Sequence, residues 1–119
     1  QVTATALVAE MRTRGPASVQ SLSTNAANQD VVSMGTIAAR LAARQIEDAA
    51  HVLAILALAV AQGVDLARTG FAPATRRLAD RVRALSPALE IDRPLSAEIS
   101  VIAETLLDGD PDTDHTNTI

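Results

Sequence analysis

Val52-Leu53-Ala54-Ile55-Leu56-Ala57-Leu58-Ala59-Val60-Ala61 is a run of ten consecutive apolar residues, and its reading decides the fold. The run is too long and too rich in alanine and leucine to be a strand, because alanine and leucine favour helix. It sits inside a proline-free stretch from Asp30 to Arg68. Asp30 is a good N-cap residue, so the spacing predicts one helix over these positions, roughly 55–60 Å long. Ten apolar residues fall short of the ~20 that span a bilayer, so no membrane partner is expected. The run is nevertheless apolar on every side, unlike a surface helix with one buried stripe. Such a helix must be surrounded, and three other short helices offer too little material to do it. Partner chains, or protein beyond these residues, have to cover it.

The neighbouring stretches are also helical. Val2 to Met11 carries apolar residues at helical spacing and ends at Arg14-Gly15-Pro16. Ala17 to Gln29 is rich in serine, threonine and asparagine, which compete for backbone hydrogen bonds, and reads as loop. Pro73 to Leu85 places Leu78, Val82 and Leu85 on one face, with Arg76, Arg77, Asp80, Arg81 and Arg83 on the other. Ser96 is expected to cap a last helix to about Leu107, with Glu98 in the first turn, where the helix dipole favours negative charge. The expected organisation is one all-α segment over 1–107 and an acidic, flexible tail over 108–119.

Composition excludes several function classes. Alanine fills 24 of 119 positions, Phe71 is the sole aromatic residue, and there is no cysteine. That leaves no disulfide framework, no thiolate metal site and no cysteine nucleophile. All ten basic residues are arginine, but the net charge is −4, which argues against nucleic acid as a partner. Gln1-Val2-Thr3-Ala4 carries no positive n-region, so a cytoplasmic location is expected.

The remaining polar clusters are weak signals. The tail Asp108-Gly109-Asp110-Pro111-Asp112-Thr113-Asp114 alternates aspartates, but it lacks the glycine and the bidentate glutamate of a calcium loop. His51 has no companion ligands and reads as a core or interface histidine, and no metal is expected. Arg44 and Asp48, four apart, suggest a helical ion pair. Asn25-Ala26-Ala27-Asn28-Gln29-Asp30 is different. Three side-chain amides just ahead of a long helix place donors and acceptors near a positive helix end. Chemistry alone leaves two readings open there, a capped loop and a polar site for an anion or developing negative charge.

Pro16-Ala17-Ser18-Val19-Gln20-Ser21-Leu22-Ser23-Thr24-Asn25-Ala26-Ala27-Asn28-Gln29-Asp30-Val31-Val32-Ser33-Met34-Gly35 closely resembles the aromatic amino acid ammonia-lyase and aminomutase family. The resemblance runs on through Ala38-Ala39-Arg40, the segment from Leu53 to Leu66, and Leu89-Glu90-Ile91-Asp92-Arg93-Pro94-Leu95. Within the family it is most like the bacterial tyrosine and phenylalanine enzymes. It implies an all-helical homotetramer whose long helices form a central bundle, which would supply the missing cover. It also implies an electrophilic 4-methylideneimidazol-5-one group (MIO) made from an internal Ala-Ser-Gly, a tripeptide absent from these residues. On that resemblance the chain is the C-terminal part of such an enzyme, inert alone and partnered by the N-terminal part.

The resemblance assigns roles to single residues. Gln29 falls where histidine ammonia-lyases have a glutamate near the substrate amine and the prosthetic group. A neutral amide there points to tyrosine or phenylalanine as substrate. Asn28 would share its hydrogen-bond network, and Asn25 would face the substrate pocket. Val2 falls where an apolar residue lines the ring pocket, beside a glutamine matched by Gln1. The implied reaction is non-oxidative deamination to the aryl acrylate, coumarate or cinnamate, plus ammonia. Two alternatives are a 2,3-aminomutase acting on the same substrates and a non-catalytic helical oligomerisation module. Packing does not require three amides in a loop, which weighs against the module.

The all-round apolar run generates a first prediction. Light scattering of the isolated polypeptide should show oligomer or aggregate, and a monodisperse, cooperatively folded monomer would contradict the reading. In a complete enzyme, Leu56→Asp should break assembly, since an unpaired charge buried in a helix bundle costs several kcal/mol.

Overall fold

A computed structural model describes residues 1–23, 26, 28, 32–67 and 70–109. Among these residues there are four α-helices and no strand: α1 (Val2–Thr13), α2 (Gly35–Leu66), α3 (Pro73–Leu85) and α4 (Ser96–Asp108). A 3-10 turn, Ala17–Gln20, interrupts the stretch expected to be loop. The chain divides into two compact units, Gln1–Ala49 and Ala50–Ile119. The expected acidic tail lies outside the described residues from position 110 on.

α2 has 32 residues, about 48 Å of helix, and starts later than expected. Val32, Ser33 and Met34 are not helical, and Asp30, the expected cap, lies outside the described residues. Met34 adopts φ 53°, a left-handed conformation that costs a non-glycine residue about 1–2 kcal/mol. The first helical hydrogen bond runs from the Ala38 N–H to the Met34 carbonyl at 2.9 Å. By length and composition α2 is long and apolar enough to cross a membrane, which the ten-residue run understated. Core helices of folded domains share that property, and one stripe of α2 is packed as a core.

That stripe is Ala50, Ala54, Leu58, Ala61 and Val64, spaced to return to one side of the helix. With Ala79 and Val82 of α3 and Ile102 and Ala103 of α4 it forms the core of the second unit, and Ala57, Phe71 and Ile99 pack against it. The buried positions are mostly alanine, so backbones come close while each side chain removes little apolar area from water. Leu58 is the largest side chain of the buried stripe. The other sides of α2 are open, with Ile46 60%, Leu53 53% and Leu56 56% exposed. Among the described residues one stripe of α2 is buried, and Ile46, Leu53 and Leu56 elsewhere on the helix stand exposed.

On α3 the buried face centres on Ala79 and Val82, whereas Leu78 and Leu85 are largely exposed. Arg83, expected on the solvated face, is turned inward. Its Nε donates to Asp65 Oδ2 at 2.7 Å, and its Nη atoms donate to the Ser86 carbonyl and Gln62 Oε1, each at 3.1 Å. Gln62 also pairs with the Leu89 backbone in both directions, accepting from N–H at 3.0 Å and donating to the carbonyl at 3.1 Å. These bonds tie the irregular segment after α3 back onto α2, satisfying backbone groups that no regular element serves.

Ser96 does not cap α4: it is the first helical residue, and Leu95 occupies the N-cap with no side-chain cap bond. Glu98 in the first turn is engaged elsewhere. It accepts hydrogen bonds from the buried Ser86 hydroxyl and from Arg93, whose other Nη donates to the Pro87 carbonyl at 2.9 Å. The Ser86 hydroxyl first, then Arg93, holds the Glu98 carboxyl below the usual carboxylate range, against the opposing effect of desolvation.

A depressed pKa means that the stabilisation is complete above the ordinary glutamate value and disappears as pH falls through the lower folded-state value. Glu98→Gln should therefore lower Tm most above about pH 5, with the gap to the parent protein shrinking below about pH 4. Melting curves across that range check it, and a constant gap would contradict it.

Candidate active-site segment

The segment singled out by its amides is held at both ends. Ser18 and Ser21 are three residues apart on the 3-10 turn and its C-cap, and residues at that spacing eclipse one another. Both hydroxyls therefore meet the returning chain. The Ser18 Oγ donates to the Ser33 carbonyl at 2.9 Å, and the Val32 N–H donates to Ser21 Oγ at 2.9 Å. Met34, Ile37 and Leu41 of the returning chain and α2 line a groove of about 190 Å3 with Gly15, Pro16, Ala17 and Gln20. Ala17, at the base of the turn, is buried.

Asn28 lies in a turn and is exposed, and Ala26 nearby takes a left-handed φ of 54°. Asn25 and Gln29 lie outside the described residues. Gln1 is the N-cap of α1 and Val2 its first residue, 84% exposed. Gln1, Val2 and Asn28 do not line the groove beside the 3-10 turn. α2 begins at Gly35, seven positions after Asn28, so the amides do not immediately precede its positive end in sequence.

α1 is fastened to α2 by Arg14, which donates to Asp48 and, at 2.8 Å, to Glu10. The Gln45 side chain adds a bond to the Met11 carbonyl at 3.2 Å. Asp48 is thus paired across elements with Arg14, where an Arg44 partner was expected; Arg44 is exposed. Sequence spacing favours the i,i+4 pair, but an arginine at a helix end can reach across to a neighbouring helix. The Asp48 hydrogen bond, with help from Glu10, holds the Arg14 guanidinium above its usual pKa despite some desolvation. His51 is half-buried on α2, and no three of His, Cys, Asp or Glu among the described residues cluster so as to hold a metal. The serine ties were missed in the sequence, although the Ser-x-x-Ser spacing ahead of the amides was there to be read.

The chain is all-helical among its described residues, and comparison with known proteins gives its class. Residues 1–84 match the aromatic amino acid lyase family. The chain is 55% identical over 115 residues to tyrosine ammonia-lyase of Cereibacter sphaeroides, covering 93% of this chain and 22% of that enzyme. It is 46% identical over 112 residues to the MIO-dependent tyrosine 2,3-aminomutase of Streptomyces globisporus, covering 92% of this chain and 21% of the relative. The crystal structure of tyrosine aminomutase from that organism superposes with a TM-score of 0.81 at 47% identity, over 87% of this chain and 20% of the other. The chain belongs to the aromatic amino acid lyase family. It spans about a fifth of the length of these relatives.

The Arg14 tie can be checked directly. Asp48→Asn should speed amide hydrogen exchange across α1, because it removes the carboxylate that fastens the helix, while Arg44→Ala should leave α1 exchange unchanged. Equal effects of the two changes would contradict the pairing.

Proposed function

We propose that this chain is the C-terminal segment of an ammonia-lyase that deaminates L-tyrosine to coumarate and ammonia, working inside a homotetramer. The single observation that carries the substrate is the 55% identity to a tyrosine ammonia-lyase over nearly the whole chain. The tyrosine aminomutase likeness supports tyrosine over phenylalanine and leaves 2,3-amino transfer as the second reading, since both reactions use the same contacts. A cytoplasmic location goes with this reading.

The segment contributes binding and electrostatics. Ala-Ser-Gly is absent from these residues, so MIO would come from elsewhere in the enzyme, and this chain alone would be inactive. When present, that group supplies an electrophilic carbon for the substrate amine. The residues here suit contact with it: amides are neutral, and each both donates and accepts hydrogen bonds, as the exposed Asn28 is free to do toward a partner surface. Gln29 would donate to or accept from the amine and the group without adding a charge, Asn28 would orient it, Asn25 would face the pocket, and Val2 would line the ring. Such preorganised contacts gain strength where water is excluded.

Assembly has its own support. Ile46, Ala49, Leu53, Leu56, Val60 and Gly63 alternate three and four apart on α2, the spacing of a coiled-coil seam, and its largest members are exposed. Long helices of this kind meeting along such seams would make the central bundle and dispose of the uncovered apolar surface.

Gln29→Ala in the complete enzyme should lower kcat/KM by about ten- to a thousand-fold with assembly intact, the range for one lost preorganised contact. Gln29→Glu should depress tyrosine turnover while any trace of histidine turnover holds or rises, and Asn28→Ala should do less damage. Steady-state kinetics checks all three, and full turnover in Gln29→Ala would remove the assignment.

A further inference from the structure

α1 is attached to α2 by polar bonds rather than by a core, for no residue of α1 is buried. Arg14, its C-cap, uses its two Nη atoms to bridge Asp48 of α2 and Glu10 of α1. Only 15% of the Arg14 side chain and 20% of the Asp48 side chain are exposed, so the pair is shielded from the water that weakens surface ion pairs. Beside it, the Gln45 amide donates to the Met11 carbonyl at 3.2 Å. Ala4, Leu7 and Met11, with Arg14 beyond them, are half-buried and spaced three and four apart along one side of the helix. Val2, Ala6 and Ala9 share the opposite side and are exposed. The helix is closed as far as Val2, since the Thr5 N–H and Oγ1 both donate to the Gln1 carbonyl, at 3.0 and 3.1 Å. α1 is thus a rigid lever with its fulcrum at Arg14 and Val2 at the far end, about 18 Å away along the axis. A tilt of about 10° at the fulcrum carries Val2 by about 3 Å, and a misplacement of about 1 Å is already costly at a reacting site.

We propose that Arg14, held by Asp48, is a positioning residue for substrate binding: the clamp fixes the tilt and rotation of α1, and so the placement of Val2 against the aromatic ring of the substrate. Arg14 itself touches no substrate. The proposal rests on the reading of Val2 given above and adds the device that holds it. Rotation counts as much as tilt, because a slip of one residue turns a helix by about 100° and takes Val2 off the presented side. Arginine suits the role because its planar fork reaches two carboxylates at once, which the point charge of lysine does not.

The test uses the complete enzyme with L-tyrosine and the variants Val2→Ala, Arg14→Ala, Arg14→Lys, Asp48→Asn and the Arg14→Ala/Val2→Ala double. A displaced ring contact weakens ground-state and transition-state binding alike, so Arg14→Ala should raise KM about five- to tenfold while kcat moves less than about threefold. Arg14→Lys, which keeps the charge beside Asp48 but not the fork, should recover part of the loss. Val2→Ala should raise KM too, and the double variant should lie within about twofold of it, because residues acting through one another are non-additive. A purely structural role would instead lower Tm and the active fraction, hence kcat, and leave KM alone. Unchanged KM in Arg14→Ala, or multiplied KM effects in the double variant, overturns the clamp while leaving Val2 at the ring. Unchanged KM in Val2→Ala overturns the reading beneath it and the clamp as well. If Arg14→Ala does not assemble, Asp48→Asn decides: a rise of about two- to fivefold in KM supports the clamp, and unchanged KM overturns it.

Discussion

α2 carries more apolar surface than this chain can cover, and the rest of the structure follows from that imbalance. One stripe, from Ala50 to Val64, is buried against α3 and α4. Leu53 and Leu56, on the same helix, are more than half exposed. Burial of apolar area is the main favourable term in folding and association, so a helix built this way is stable only where something covers its remaining sides. Membership of the aromatic amino acid lyase family and the one-fifth share of its relatives' length agree with that need.

Because the core is built from alanines, specificity comes from polar ties at its margins. Arg83, Gln62, Ser86, Glu98 and Arg93 pin the irregular segment between α3 and α4 by pairing its backbone groups. Arg14, through the Asp48 carboxylate, and Gln45, through the Met11 carbonyl, tie α1 to α2. Ser18 and Ser21 repeat the device on the amide segment. Where the partner is backbone outside a regular element, as at Ser33, Val32, Ser86, Pro87 and Leu89, the side chain meets a group that would be costly to leave unmet. The division of labour is consistent: helices give bulk burial, and side-chain-to-backbone bonds fix the connections.

α1, α3 and α4 were legible in the sequence to within about two residues, whereas α2 begins at Gly35, well after the expected Asp30. α3 runs from Pro73 to Leu85 as expected, because proline at a helix start and Ser86-Pro87 after its end are local signals. Helix caps were less legible. Ser96 has the right chemistry for capping, yet Leu95 occupies the N-cap of α4. Capping propensity is worth about 1 kcal/mol, and tertiary ties such as those drawing Glu98 to Ser86 and Arg93 can outweigh it. For the candidate site, residue types and family likeness marked Asn25, Asn28 and Gln29, while the Ser-x-x-Ser spacing of Ser18 and Ser21 did not by itself show which backbone groups those hydroxyls meet.

By itself, the sequence determined that the chain is helical, that α2 is too apolar to stand alone, and which amides to watch. These properties are local, set by composition and by the 3.6-residue period of the helix. Only the tertiary structure decided which side of α2 is buried, that Asp48 pairs with Arg14 across elements, that Arg83 turns inward to Asp65 and Gln62, and that Ser21 receives the Val32 amide. Each of those choices joins residues eleven or more positions apart. Their partners are selected by the distance and direction that packed helices impose, and a pattern read along the chain carries no record of either.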